Sequence, residues 1–363
     1  MSAYSIQVAD DIAPLRTQWR GMDQRAAALI ASGRKLPVEY TFYQTFEWNE
    51  FVQRHTAASR SGRLGLKRIE YITAYDGEGN LLAVLPVMVN RLKHTVEMTA
   101  WRTAGVNNAA WAGDDFAAAA PLFSGIARLI ADRYRGARLR FFDMPPSSPL
   151  AQALKALPVG EALRYYERGS YHIPLKDWES FDRYYASLNK KLRHNIRTRS
   201  NHFTHGDLEA RLRVFTRQTP PPAGYWKKIW RIFFQRKNEW RGRNANFLRR
   251  IAGAWSVRRE CRSGLKTMSF GALDETVLFA FEINGEPAAF AFLYNRDGHI
   301  VVPKLAIDSA QRAHAPGILM LREIMQWCYD NGVRDFDLCR GDEPYKQQMG
   351  AVCQPVCRIE GRL

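Results

Sequence analysis

Cysteine is scarce: the 363 residues contain Cys261, Cys328, Cys339, Cys353 and Cys357 and no others, all in the last third of the chain. Cys353 and Cys357 form a single C-x3-C with no second pair nearby. This excludes the zinc patterns built from two pairs, and ordinary reduced core thiols are expected. No apolar run of about 18 residues occurs. The nearest approach, Ala117 to Ala131, is broken by Arg128, so no transmembrane segment is read. Met1 to Asp11 has no basic start followed by an apolar stretch. A secretory signal is therefore not expected, and the cytoplasm is the expected compartment. Hydrophobic residues at 46% and charged residues at 25% exclude disorder over most of the length.

Acid is scarce as well, and unevenly so. Lys plus Arg number 53 against 36 Asp plus Glu, for a net charge of +17. Between Arg164 and Glu260 about 23 basic residues face about 8 acidic ones, so nearly all the excess lies in one stretch. The partner implied is an anion, which leaves phosphorylated small molecules and nucleic acid both open.

What is present is a rhythm that occurs twice. "LKRIEYITAY", a turn at "DGEGN", "LLAVLPVMVNR" and "TVEMTAWRT" read as strands. A helix over about 121–133 and the strand "LRFFDMPPSSP" follow. Later come "VLFAFEI", the hairpin signal Asn284-Gly285, "PAAFAFLYNR", a turn at Asp297-Gly298 and "HIVVPKLAID". An amphipathic helix over about 317–330 then leads into "RDFDL". The copies end alike, in "FDMPPSSP" and "FDLCRGDEP". The pattern predicts two β-β-β-α-β units with mixed sheets, an α/β fold, divided into domains 1–161 and 162–363.

Three stretches carry candidate chemistry. In the second copy a strand, the loop "SAQRAHA" and Pro316-Gly317 opening a helix make a strand-loop-helix corner. Proline suits the first helical turn, glycine allows close approach, and a helix N-terminus attracts phosphate. Arg312 and His314 can add positive charge there; an ordinary loop between two elements gives the same letters. In "NKKLRHNIRTRS", Lys191, Arg193, Asn195, Arg197 and Arg199 alternate with Leu192 and Ile196, which share a helix face. This is either a solvated helix docked by its apolar stripe or an anion-binding face for a phosphorylated acceptor. "YWKKIWRIFFQRKNEWRGR" mixes Trp226, Trp230, Phe233 and Trp240 with Lys and Arg, as a core helix or a base-stacking surface would.

The third stretch is "DFDLCRGDEPYKQQMGA". With the tandem units and "APGILMLREIMQW", it resembles the GNAT-type acyltransferase family associated with bacterial cellulose and exopolysaccharide biosynthesis, a relative of the Fem peptidyltransferases. Gly341, Asp342, Glu343, Pro344, Tyr345 and Lys346 match that family's Gly-Asp-x-Pro-Tyr-Lys, while Gln347-Gln348 and Met349 replace its basic pair and aromatic residue. "SLNKKLRHNIRTRS", "YQTFEWNEFVQRH" and "LLAVLPVMV" extend the resemblance over most of the chain. The resemblance implies tandem GNAT-like domains and acetyl-CoA or another acyl-CoA as co-substrate. It places the thioester on the backbone of Lys304, Leu305 and Ala306, and the pyrophosphate at Ala315, Pro316 and Gly317. The usual Gln/Arg-x-x-Gly-x-Gly/Ala loop is not intact here.

Acyl transfer needs a base for the nucleophile, a polarised carbonyl and a stabilised thiolate. Asp342 or Glu343 is the expected base with His314 as rival, Tyr345 the acid for the thiolate, and Lys346 a ligand for an acceptor phosphate or carboxylate. Each also reads as turn chemistry, a capping tyrosine or a solvated lysine. The expected function is acyl-CoA-dependent N- or O-acyl transfer to a small-molecule or saccharide acceptor bearing sugar or phosphate, without a metal. An aminoacyl-tRNA-dependent Fem-like transferase and a non-catalytic RNA-binding protein are the alternatives; the helical hairpin inserted in many Fem enzymes is not evident.

Overall fold

A computed structural model describes residues 4–32, 40–99, 106–111, 113, 115–158, 163–240, 255 and 269–363. They form two compact units, one of residues 1–170, 339–341 and 353–363, the other of residues 171–338 and 342–352.

The first stretch of chain gives β1 (Ser5–Ala9), α1 (Arg16–Ala31), α2 (Phe46–Ala58), α3 (Arg60–Arg63), β2 (Lys67–Tyr75), β3 (Leu81–Asn90), β4 (Thr95–Met98), β5 (Ala110–Trp111), α4 (Phe116–Arg133), β6 (Arg138–Met144), α5 (Pro149–Lys155) and β7 (Leu163–Ile173). Then come α6 (Phe181–Ser187), α7 (Lys190–Thr204), β8 (Ala210–Thr216), α8 (Tyr225–Trp240), β9 (Thr276–Ile283), β10 (Glu286–Arg296), β11 (His299–Ile307), α9 (Pro316–Asp330), β12 (Asp335–Arg340), α10 (Pro344–Gln348) and β13 (Val352–Arg362). Among the described residues no helix is long and apolar enough to cross a membrane.

The repeated rhythm is real in three dimensions. In the first unit the strands run in the order β1-β2-β3-β4-β6-β13, and in the second β12-β11-β10-β9-β8. β4 and β6 pair in parallel at Thr95–Arg138, Val96–Leu139 and Glu97–Arg140. β11 and β12 do the same at His299–Asp335, Ile300–Phe336 and Val301–Asp337. In each case a helix joins the parallel strands, as a parallel crossover requires. The fold is thus α/β with mixed pairing, repeated.

Two details differ from the periodicity. α4 begins at Phe116, five residues before the proline taken from the sequence as its start, because the Asp115 side chain accepts from the amides of Ala117 and Ala118 and caps an earlier turn. Pro121 then lies inside the helix, where it forgoes the bond its N–H would have made to the Ala117 carbonyl. The "SAQRAHA" loop is ordered as a 3-10 helix, Ser309–His314, capped by Asp308.

Each unit has its own core. In the first, Phe123, Ile126 and Ile130 of α4 pack with Leu85, Val96 and Phe141. In the second, Leu321, Ile324 and Cys328 of α9 pack with Phe279, Ala291 and Ile300, joined by Leu192 and Ile196 of α7. The first unit also contains a buried charge cluster. Glu70, 0% exposed, accepts from Arg68, from Arg133 Nε at 2.9 Å and from Tyr134 Oη at 2.9 Å.

Candidate active site

The second unit owes its most distinctive geometry to β11 outrunning β12. The parallel ladder ends at Val301–Asp337, yet β11 continues through Lys304, Leu305 and Ala306, which stay registered on the other side with Phe292, Ala291 and Phe290 of β10. A register shift between Phe292 and Tyr294 marks a bulge just before that segment, where Pro303 removes a ladder donor. β11 therefore leaves β12 after Val301 while keeping its pairing with β10 as far as Ile307.

The chain then turns into α9. Ala315 adopts φ 52°, and its carbonyl accepts from the amides of Ile318 at 3.2 Å and Leu319 at 3.3 Å. Pro316 has no N–H, so the Gly317 amide is the first-turn donor directed past the helix end. A Cβ on Gly317 would lie 2.8 Å from Ile307 Cγ2, so glycine is what lets the helix start close onto the end of β11. Gly317 is thus brought next to the end of β11.

α7 lies against the same corner. Asn189 caps it by accepting from the Lys191 amide at 2.8 Å, and its apolar stripe, Leu192 and Ile196, is buried as docking requires. Lys191, Asn195 and Arg197 are exposed. Arg193 donates to the Leu188 carbonyl at 3.0 Å, and Arg199 to the Ala313 carbonyl at 2.9 Å. The His314 ring sits 6.0 Å from that of Phe203 near the end of α7. The docked-helix reading of α7 holds, since its stripe is buried, and the helix also presents cations beside the loop that carries Arg312 and His314. No acid occurs within it to offset them.

At the end of β12, Cys339 has φ 61° and Gly341 φ 117°, and the Asp-Glu-Pro-Tyr-Lys segment enters the short helix α10 instead of remaining a turn. Asp342 and Glu343 are exposed. Tyr171 Oη donates to Asp342 Oδ1 at 3.1 Å, and Tyr345 is half-buried against the core. Lys346 is not a solvated lysine: at 2% exposure its ammonium pairs with Glu343 at 3.0 Å and lies 5.5 Å from the Tyr171 ring. A buried ammonium must be paired, and these two partners explain why the helix can enclose it. Tyr171, in β7, escaped the sequence reading, since nothing in "SYHI" points to a residue 171 positions later. Lys346→Met is expected to lower stability by about 1–2 kcal/mol, which urea denaturation would measure. An unchanged midpoint would mean that the exposed Glu343 contributes nothing to holding α10.

α8 covers the opposite face of the sheet from α9. Trp226 meets Phe292 at 6.4 Å, Trp230 meets Phe233 at 5.6 Å, and Lys304 Nζ lies 4.1 Å from the Phe233 ring. These aromatics are packed, as core residues are; the Trp240 side chain and residues 241–243 of the same run lie outside the described residues. Tyr225 Oη donates to buried Glu282 at 2.8 Å, and Arg211 Nε reaches its other oxygen at 2.8 Å. Burial, then the bond to Glu282, pushes the Tyr225 phenol far above its ordinary range, so it serves as a fixed donor. Among the described residues no group of three or more His, Cys, Asp or Glu is placed to hold a metal. Cys261 lies outside those residues.

Residues 190–347 match the acetyltransferase (GNAT) domain family. A search of curated proteins finds no match. Among solved structures the chain is similar to FemX, with TM-score 0.55 and 11% identity over 94% of this chain and 96% of that one. It is similar to the C-terminal domain of a putative lysylphosphatidylglycerol synthetase from Agrobacterium fabrum, with TM-score 0.52 and 12% identity over 94% and 91%. It is also similar to a tandem GNAT protein from the clavulanic acid biosynthesis pathway, with TM-score 0.51 and 10% identity over 98% of each chain. At these identities the solved structures speak for the fold, tandem and GNAT-like, and the family match speaks for the chemistry. These findings support an acyltransferase, with residues 190–347 matching the acetyltransferase (GNAT) domain.

Proposed function

We propose that the protein moves an acyl group, acetyl in the simplest case, from acyl-CoA to the amine or hydroxyl of a polar acceptor bearing sugar or phosphate. The observation that carries this reading is the corner where β11 runs past its last β12 partner and ends under the N-terminus of α9. An extended thioester arm fits the strand edge, and a pyrophosphate fits the Gly317 amide, with Arg312 and the α7 cations nearby. The resemblance adds polysaccharide biosynthesis as the setting.

In this reading the acceptor atom bonds to the thioester carbonyl carbon, the C–S bond breaks, and the acceptor's proton leaves to a base. Asp342, held by Tyr171, is the first choice for that base, with Glu343 second because it is engaged by Lys346. His314, against Phe203, belongs to the α7 and α9 corner and suits a role with the donor's phosphates. Tyr345 is the acid that meets the departing thiolate. Lys346, buried in its pair with Glu343, supports the loop, and the substrate contacts fall to Lys191, Arg193, Asn195 and Arg197.

Thermal unfolding with acetyl-CoA and with a longer acyl-CoA tests the donor. Ligand at about 100 times its Kd adds about 2.7 kcal/mol, so a clear rise in Tm is expected with at least one thioester. No rise with either would sink the reading. One observation favours a second donor: the α7 cations, uncompensated within their helix, suit an aminoacyl-tRNA. Steeply salt-dependent RNA binding without a thioester-induced shift would select it.

A further inference from the structure

We infer that the first unit docks on an anionic lipid surface where α3 meets the turn between β3 and β4. Leu64 and Leu92 enter the bilayer interface, and Arg60, Arg63, Arg91 and Lys93 attract its phosphates. The backbone brings the two leucines together. β2 and β3 pair out to Lys67–Asn90, and the Arg91 amide donates to the Leu66 carbonyl at 2.9 Å, so the chain entering β2 and the chain leaving β3 lie side by side. Each segment is also closed on its own neighbours. The Leu66 amide donates to the Ser61 carbonyl at 2.9 Å and the Gly62 amide to Ser59 Oγ at 3.0 Å. A Cβ on Gly62 would lie 2.0 Å from the Thr56 carbonyl oxygen, so glycine is what lets α3 fold back on α2. In the turn, the Lys93 amide donates to Asn90 Oδ1 at 3.1 Å, and the His94 carbonyl accepts from the Arg138 amide at 2.7 Å.

Held this way, Leu64 is 62% exposed and Leu92 72%, more than any other leucine, isoleucine or valine among the described residues. One exposed leucine is ordinary, but here the two most exposed stand on adjoining segments. Their surroundings are basic. Arg60, Arg63, Arg91 and Lys93 are exposed, neither segment contains an acid, and no ion pair or side-chain hydrogen bond engages these four among the described residues. The acids on adjoining elements are taken: Glu70 by Arg68 and Arg133, Asp132 by Arg135, and Glu360 by Arg138 and Arg358. Uncompensated cations around protruding aliphatic side chains complement a bilayer surface, whose phosphates draw the cations and whose acyl boundary accepts the leucines. RNA would satisfy the cations and leave the leucines in water, and neither segment offers it a Phe, Tyr or Trp to stack on. α7 also presents cations, but its Leu192 and Ile196 are buried, so its stripe has nothing to insert.

The test is co-sedimentation of the full chain with vesicles of phosphatidylcholine alone and of phosphatidylcholine with about a third phosphatidylglycerol, at low and at high salt. Binding to the anionic vesicles is expected to be about tenfold tighter than to the neutral ones, and to fall as salt rises. Leu64→Asn with Leu92→Asn is expected to weaken it about tenfold, and so is Arg91→Gln with Lys93→Gln. The urea midpoint should not move in either variant, because all four side chains are exposed. No preference for anionic vesicles, or wild-type binding by the leucine variant, overturns the inference. Binding lost in Lys191→Gln with Arg197→Gln and kept in both patch variants moves the lipid to α7 and overturns it too. Binding of polyuridylate that requires Arg91 and Lys93, together with vesicle binding indifferent to the leucines, makes the partner RNA instead. The acyl donor plays no part here: absence of a thioester-induced rise in Tm removes the acyl-CoA reading and leaves this surface standing.

Discussion

Gly317→Val is expected to weaken acetyl-CoA binding at least tenfold while the protein still folds. The position tolerates no Cβ without movement, because Ile307 Cγ2 would lie 2.8 Å away, and that atom is fixed to the β-carbon of a core-facing strand residue. Valine therefore lifts the first turn of α9 off the end of β11 and misdirects the amide at residue 317. Overpacking of this kind costs about 1–3 kcal/mol, which a domain of this size survives. A phosphate bound by one or two oriented amides and a helix dipole is sensitive to displacement of a few tenths of an ångström. Gly317→Ala, with one methyl and better helix propensity, should fall between valine and wild type. Calorimetry with acetyl-CoA decides it: wild-type affinity in a folded Gly317→Val protein would place the donor's phosphates elsewhere.

The largest effect on stability is expected at Glu70. Burial by itself would raise this carboxyl, but hydrogen bonds from Arg68, Arg133 and Tyr134 outweigh it and hold the group below its ordinary value. Glu70→Gln removes the charge that two arginines converge on and turns an amide donor toward them. Loss of one partner from a buried pair costs about 3–5 kcal/mol; because Arg68 and Arg133 are 38% and 40% exposed and can turn to water, about 2–3 kcal/mol is expected here. The pH dependence has a definite sign. A carboxyl with a depressed folded pKa binds fewer protons when folded, so its contribution is present above the unfolded value and is lost as pH falls through the folded one. Wild type should therefore lose stability on acidification below the ordinary glutamate range more steeply than Glu70→Gln, in urea titrations at a series of pH values. Parallel acid limbs would show that the cluster carries no net stabilisation.

Much of the architecture was legible because it is local. The hairpins at Asn284-Gly285 and Asp297-Gly298 need positive φ, and the structure has it at all four residues, whereas in the turn after Asp76 it falls on Gly79 and not on Gly77. The α9 stripe is a 3.6-residue period, and its buried face runs through Leu321, Ile324, Met325 and Cys328. The start of α4 was misjudged because Pro121 is a louder signal than the Asp115 cap, although the cap decides where the amides are satisfied. At the site, the Pro316-Gly317 corner could be read from residue types whose backbone preferences are intrinsic. The side chain of Lys304 could not, since its contact with Phe233 depends on a bulge in β11 and on a helix placed more than 60 residues earlier.

By itself the sequence determined two β-β-β-α-β runs, the helix stripes that dock them and the Pro316-Gly317 helix start, since period, turn chemistry and helix capping act within a few residues. Only the tertiary structure decided that Tyr171 holds Asp342, that Lys346 is enclosed with Glu343, and that β13 returns to pair with β6 from Arg362–Arg138 to Cys357–Met144. Those outcomes join residues on separate elements, and the burial and strand register that select them exist only once the chain has folded.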